Sequence, residues 1–428
     1  PPPPADAEAA KDDTKAPETT VEENKDGTVI DYTGKQDAQP DQEASRPEGT
    51  APDMGADSAG VDDQQEETGS TLQAKPASDP EADKDAPDSQ NDQNTQNNQS
   101  GQNTQNEDSE DEDADAGIMT YEAPAPTTLT SAVEAAARKV ISIINNATGK
   151  ELAVTLKNLT VDAGETNKNA LTVSGTGDVT LELDGKNELT GGSGIFKDDY
   201  YKRERRGYGI ESEKSHVTIK GNKDSSLSAT GGAGNDKGGW GIYASQLDLV
   251  DATVTATGGA GAGDGIYALG NFNIKNSKFT ARGGGQQTPG DDASKGGGRG
   301  IYTNGKVVVG EGSEVIAIGG SDKATDRAAQ GDYALGYWQG SYEVKKGGKL
   351  TAIGGDAESK NGKATGGDAL WGAYKNDTVF SGETTLIAGN AKSGTGDAVA
   401  GDAVKDGASL MNVTVNGGTT TVVGGKAE

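Results

Sequence analysis

A repeat that begins near residue 152 and runs to the end of the sequence constrains the fold more than any other feature. Each block opens on Gly-Ile-Tyr or a relative, passes through short Val/Thr/Ile runs, and closes on Gly-Gly followed by a polar loop. Aligning the openings puts Ile210, Ile242, Ile266, Ile301, Ala334, Leu370 and Val404 in equivalent positions, at intervals of 32, 24, 35, 33, 36 and 34 residues. From the opening to the closing glycine the distance is steadier, 16 residues from Ile242 to Gly258 and 20 from Ala334 to Gly354, so length varies mainly in the loops. A unit this small cannot bury an apolar face alone, but stacked units can, and the spacing predicts the turns of an all-β, parallel β-helix. In two of the turns the strands are expected at residues 242–244, 247–250 and 253–257, then 266–269, 272–275 and 278–281. Three strands per turn give a triangular cross-section, with Leu247, Leu249, Val254 and Ala256 pointing inward by alternation.

The region before the repeat has a different composition. The 428-residue chain has 39 Lys and Arg against 68 Asp and Glu, a formal charge of -29, and residues 1–116 alone hold 32 acidic and 7 basic side chains. Those residues include only Val21, Val29, Ile30, Val61 and Leu72 from the Leu, Ile, Val and Phe set. Too little apolar surface is available to offset chain entropy, so residues 1–116 are expected to form a disordered acidic tail. Self-repulsion would extend it into a stalk that holds the body away from an attachment point, the alternative being a terminus that only solubilises the chain. Residues 117–150 read as a linker and a capping helix, and residues 151–428 as the β-helix. The helix is expected over residues 130–147, because Ser131 and Glu134 have capping-box spacing and Val133, Ala137, Val140, Ile141 and Ile144 share one helical face.

Several functions are excluded at this level. The acidic balance disfavours nucleic acid as a partner. Cysteine is absent and His216 is the single histidine, which removes thiolate sites, multi-histidine metal sites and most nucleophilic triads. No apolar run is long enough to span a membrane. Pro1 to Pro4 read as a processed or trimmed start, and the Gly424-Gly425 turn, with no evident cap, reads as one that more chain follows.

Equivalent positions in stacked turns become ladders along the axis. One residue after the aligned aliphatic, the sequence has Glu211, Tyr243, Tyr267, Tyr302, Leu335, Trp371 and Lys405. If the aliphatic points inward, the tyrosines point outward, and an exposed aromatic strip is suited to sugar rings. The alternative is that they pack inward at a bend. Two residues before the aliphatic stand Tyr208, Trp240, Asp264, Arg299, Asp332, Asp368 and Asp402. Stacked carboxylates repel unless they fan into solvent or are bridged, so Asp264, Asp332, Asp368 and Asp402 are candidate calcium ligands, against the plainer reading of solvated turn residues. Residues 197–208 gather five basic side chains and three tyrosines, with Arg203, Arg205 and Arg206 placed either to clasp an acidic sugar or to neutralise the acidic tail. The candidate glycan contacts are Tyr243, Tyr267, Tyr302, Trp371, Trp240 and those three arginines.

The stretches 154–162, 170–174 and 179–192, with Gly209-Ile210 and residues 227–232, resemble bacterial extracellular right-handed β-helix proteins. These form a carbohydrate-binding family distantly similar to pectate lyases, and the Asn-x-Leu-Thr-Gly-Gly phrase at 187–192 carries much of the likeness. The resemblance implies a right-handed coil, a secreted or cell-surface location, and binding of acidic polysaccharide, with calcium in some members. The expected function is therefore a non-enzymatic glycan-binding β-helix. The alternatives are an adhesive rod for a host or neighbouring-cell protein and, less favoured, a calcium-dependent polysaccharide lyase using Asp264 and Arg299.

Overall fold

The computed structural model describes residues 18–24, 27–33, 127–130, 140–197, 204–234, 237–286, 297–373, 376–407 and 411–428. Every regular element among them is a strand. The two turns anticipated above are found as strands Ile242–Val250 and Thr253–Thr257, then Ile266–Ala268, Phe272–Lys275 and Lys278–Arg282. Each pairs in parallel with its equivalent one turn on: Ile242 with Ile266 and Ile266 with Ile301, Leu247 with Phe272 and Phe272 with Val307, Val254 with Phe279 and Phe279 with Val315. Two long sheets result, one of nineteen strands and one of nine. The curled, parallel arrangement is consistent with a parallel β-helix.

Period-two alternation fills the interior. Ile266, Phe272, Ile274, Phe279 and Ala281 are buried in one turn, and the two phenylalanine rings meet edge to face, 5.1 Å apart at 87°. Ala334 is a correction to the alignment: Ile301 pairs with Leu335, which pairs with Leu370, so Leu335 is the equivalent residue. A small residue precedes the aliphatic in every turn from Gly209-Ile210 onward, and Ala334-Leu335 keeps that rule.

The N-terminal expectations also change. Over the part of the expected helix that is described, Val140–Asn145 is a strand with Ile141, Ile143 and Asn145 inward. The sequence Val-Ile-Ser-Ile-Ile satisfies a period of two as well as one of 3.6. As a strand it pairs with Leu171–Gly175 on one side and Gly27–Thr33 on the other, bonds a lone helix could not make. Residues 131–139 lie outside the described residues. Glu18–Asn24 and Gly27–Thr33 form an antiparallel hairpin inside the segment expected to be disordered, with Ile30 fully buried. Thr127–Thr130 pairs with Glu151–Lys157, so residues 27–33 and 127–130 both lie on the first turns of the coil and residues 34–126 connect them. The remainder of the expected tail falls outside the described residues.

The loops after Gly-Gly, read above as variable polar segments, stack in register at residues 322–330, 357–365 and 391–399. At their base the outgoing and returning chains run against each other. An unbroken series of backbone hydrogen bonds climbs from Gly192 through Gly207, Gly232, Gly239 and onward to Gly401, alternating between the two chains. Every position of the series but Asp332 is glycine, and the approach is close: a Cβ on Gly298 would lie 1.9 Å from the carbonyl oxygen of Gly263. Beyond this neck, Asp322–Ala324, Ala357–Ser359 and Ala391–Ser393 stack as one small sheet, and Ala329–Gln330, Ala364–Thr365 and Ala398–Val399 as another. Between them lies an alanine core of Ala324, Ala329, Ala357, Ala364 and Ala391. We call this second stack the arm.

Candidate functional site

The Gly-Ile bend sets the geometry of the ladders. Residues two before and one after the inward aliphatic sit on either side of it, and their side chains interleave outside the coil. Tyr208 stacks on Trp240 at 4.9 Å and Trp240 on Tyr267 at 4.8 Å, each within 10° of parallel. Tyr243 tilts against Tyr208, Trp240 and Tyr267, and Tyr267 against Tyr302. Further along, Tyr333 stacks on Trp371 at 5.2 Å and 5°. Gly336 leaves room in the column: a Cβ there would sit 3.0 Å from the Tyr302 ring and 3.4 Å from Tyr333.

The aromatic residues do point outward, yet they do not all form an exposed strip. Tyr267 and Tyr302 are 8% and 7% exposed, closed over by their neighbours, whereas Trp240, Tyr243, Tyr333 and Trp371 are half-buried. Tyr208 and Tyr333 belong to the ladder and were absent from the candidate set. Tyr333 was displaced by the alignment slip at Ala334, and the small-aliphatic dipeptide was the signal that would have recovered it. Leu335 leaves the outward column for the same reason, and Gly336 replaces it.

At the centre, Asp264 is buried and receives three hydrogen bonds from Arg299, from the backbone N–H at 2.8 Å, Nε at 3.0 Å and Nη2 at 2.8 Å. The guanidinium lies 3.7 Å from the Tyr302 ring centroid, a cation–π contact that extends the stack. Burial alone would lower the Arg299 pKa, but the Asp264 carboxylate more than offsets this and raises it above its usual value. Burial also pushes the Tyr302 hydroxyl up to about 12, with Arg299 opposing the shift.

The aspartate row is not assembled as the sequence suggested. Asp332 is one residue out of register and stands in the returning glycine column, between Gly298 and Gly367. Its carboxyl is raised to about 7, chiefly by burial and then by Asp264 and Asp368, against the pull of Arg299. Asp368 is buried, accepts the Asp402 N–H at 2.8 Å, and has Lys405 Nζ at 3.6 Å. Asp402 is exposed. Among the described residues no group of three His, Cys, Asp or Glu side chains is placed to hold a metal ion. Of the basic loop, Arg206 is half-buried and donates from Nη1 to the carbonyl oxygen of Ser193 at 3.0 Å. Arg205 falls in a two-residue strand paired with Phe196–Lys197, and Arg203 lies outside the described residues.

No helix among the described residues is long and apolar enough to cross a membrane. In comparisons with known proteins, no family model, no curated protein and no solved structure matches the chain.

Proposed function

We propose that this chain is a secreted or cell-surface, right-handed parallel β-helix, three strands to the turn, that binds a linear glycan along its aromatic ladder. The observation that carries this reading is the pair of half-buried platforms, Trp240 with Tyr243 and Tyr333 with Trp371, at either end of a closed aromatic centre. Sugar C–H faces pack on such rings while their hydroxyls stay wet. From the turn of Ile242 to that of Leu370 there are four steps of about 4.8 Å, or ~19 Å, room for several sugar rings.

Local charge favours a neutral glycan over the acidic polysaccharide that the resemblance implies. Beside the second platform lie Asp332, Asp368 and Asp402; Lys405 is already beside Asp368 and Arg299 is bound to Asp264, so neither of these cations is free to pair with an acidic polymer there. A lyase reading has less support, because it needs a free base and the Arg299 guanidinium is bound through two nitrogens to Asp264. The test is calorimetric titration with neutral and uronic-acid oligosaccharides, with and without a chelator. Trp240→Ala and Trp371→Ala are each expected to weaken binding by about 1 kcal/mol, in line with loss of one aromatic contact. Affinity untouched by both substitutions would remove the ladder as the site. Preference for uronic acids that the chelator abolishes would return calcium and the aspartates to the reading.

A further inference from the structure

We propose that the outer face of the nine-stranded sheet is a self-complementary docking surface for a second copy of this chain, packed face to face with the two coils antiparallel. This does not rest on the glycan reading, whose ladder belongs to the other sheet.

Three outward columns run up six successive strands of this sheet, from Thr253–Thr257 to Thr419–Val423. The middle column is Thr255, Thr280, Ile316, Thr351, Thr385 and Thr421. The column beside it is Thr257, Arg282, Ile318, Ile353, Ile387 and Val423, and almost all of both columns is half-buried or exposed. In a chain whose residues are 25% charged, these twelve outward positions hold one charge, Arg282. The other sheet differs: Asp248, Asn273, Val308 and Glu343 follow one another on its outer face, with His216 and Lys306 paired to the two acids. These six strands of the nine-stranded sheet thus present a threonine and isoleucine surface of the kind that marks association.

The remaining column identifies the occupant. It is Thr253, Lys278, Glu314, Lys349, Glu383 and Thr419. Consider a two-fold axis lying along the strands, midway between Glu314 and Lys349. It sets Lys278 opposite Glu383 of the second copy, Glu314 opposite Lys349, and Thr253 opposite Thr419, so every charge in the column meets its opposite. The same operation lays Ile318 against Ile353 and Thr280 against Thr385, and sends Arg282 to the rim beside Ile387. An isologous interface requires this kind of reversal symmetry. Within the chain Lys349 already meets Glu383 at 2.9 Å, with both side chains more than half exposed, so they can also be shared across an interface. Six turns at about 4.8 Å by five residues at about 3.3 Å give a footprint of roughly 450 Å², at the small end for specific association, so the dimer is weak.

Sedimentation velocity on the full chain, from micromolar to submillimolar concentration, is expected to show a monomer–dimer equilibrium. Ile318→Lys with Ile353→Lys, both outward and so compatible with folding, should raise the dissociation constant by about tenfold or more. Lys349→Glu alone should do likewise, and Glu314→Lys added to it should restore association, because the interchain pairs are then re-formed with their signs exchanged. The native chain has no cysteine, which makes the register directly readable. Thr280→Cys with Thr385→Cys should give a covalent dimer on mild oxidation. The two positions are three turns apart within a chain, ~14 Å, too far for an internal disulfide. Thr280→Cys alone should not cross-link. A chain that is monomeric at every concentration overturns the proposal and leaves the face to a different partner. A dimer indifferent to the lysine substitutions, or one cross-linked by the single cysteine, overturns the face or the antiparallel register.

Discussion

The main coil and the arm are built by the same parallel stacking but filled differently. In the main coil each turn supplies Ile, Leu, Val or Phe from three directions, and the interior behaves as a packed aliphatic column. In the arm the stacked interior is alanine, whose methyl groups bury little area and contribute correspondingly little. The turn of the arm at residues 322–330 carries a buried ion pair. Arg327 meets Asp322 through two parallel bonds of 2.7 Å, and the Gln330 N–H adds a third to the same carboxylate. In the next two turns Ala357 and Ala391 stand where Asp322 does. One region is held by apolar volume, and the other by a backbone neck and a polar plug.

Three perturbations should separate these mechanisms, and the largest belongs to the main coil. Phe279→Ala removes a fully enclosed ring and is expected to cost about 3 to 5 kcal/mol, read as a fall in denaturation midpoint that involves the whole coil. A loss confined to the arm would mean that the two cores are not distinct in the way described.

The second perturbation acts on the arm. Arg327→Ala leaves the Asp322 carboxylate buried without its counter-charge, at a cost of about 3 kcal/mol. Hydrogen exchange should rise at residues 322–330 and 357–365 while amides of the main coil keep their protection. Replacing both partners together, Arg327→Met with Asp322→Leu, should recover most of the loss, since two apolar side chains leave no charge stranded. If the double variant were as damaged as the single one, the pair would be more than a neutralised plug.

The smallest effect is at the neck between the two regions, where Asp332 occupies a column otherwise made of glycine. Its carboxyl titrates near 7 in the fold and near 3.8 when unfolded. Between those values the folded state holds a proton that the unfolded chain has lost, so this group makes stability fall as pH rises from about 4 to 7. Asp332→Asn keeps the acceptor for the Tyr333 N–H and removes the titration. It should therefore raise the melting temperature at pH 7.5 more than at pH 5. Because the residue is only half-buried, the gain should be small. An equal change at both pH values would place the relevant titration elsewhere.

Much of the coil was legible from the sequence because strand periodicity is local. Leu247 and Leu249 alternate with polar residues whatever surrounds them, and the small-aliphatic dipeptide recurs once per turn. The failures have physical causes too. Val140 to Ile144 fits two periods equally, and pairing with neighbouring strands selected one of them. The strands at residues 18–24 and 27–33 are embedded in a composition that cannot form a core by itself, and they are held by pairing with the strand at 140–145, where Ile30 is buried. In the fifth turn the inward aliphatic is Leu335, preceded like the others by a small residue, so taking Ala334 as the aliphatic hides Tyr333 and misplaces Asp332 by one residue.

Over most of the main coil, what the sequence determined by itself was the repeat, the strand positions and the side of the sheet on which each residue lies, since strands and sides follow from the two-residue period of an extended chain. What only the tertiary structure decided was contact between turns. Tyr267 points outward by sequence, but is closed off because Trp240 from the turn before and Tyr302 from the turn after lie against it, while Tyr302 is covered by Tyr267 as well as by Arg299 of its own turn. Asp264 is held by Arg299, 35 residues further on, and so enters no row of free carboxylates. The alanine arm is ordered because three consecutive loops share a register that no one of them specifies. Side-chain direction is fixed by the local backbone, whereas exposure and pairing are fixed by neighbours distant in sequence.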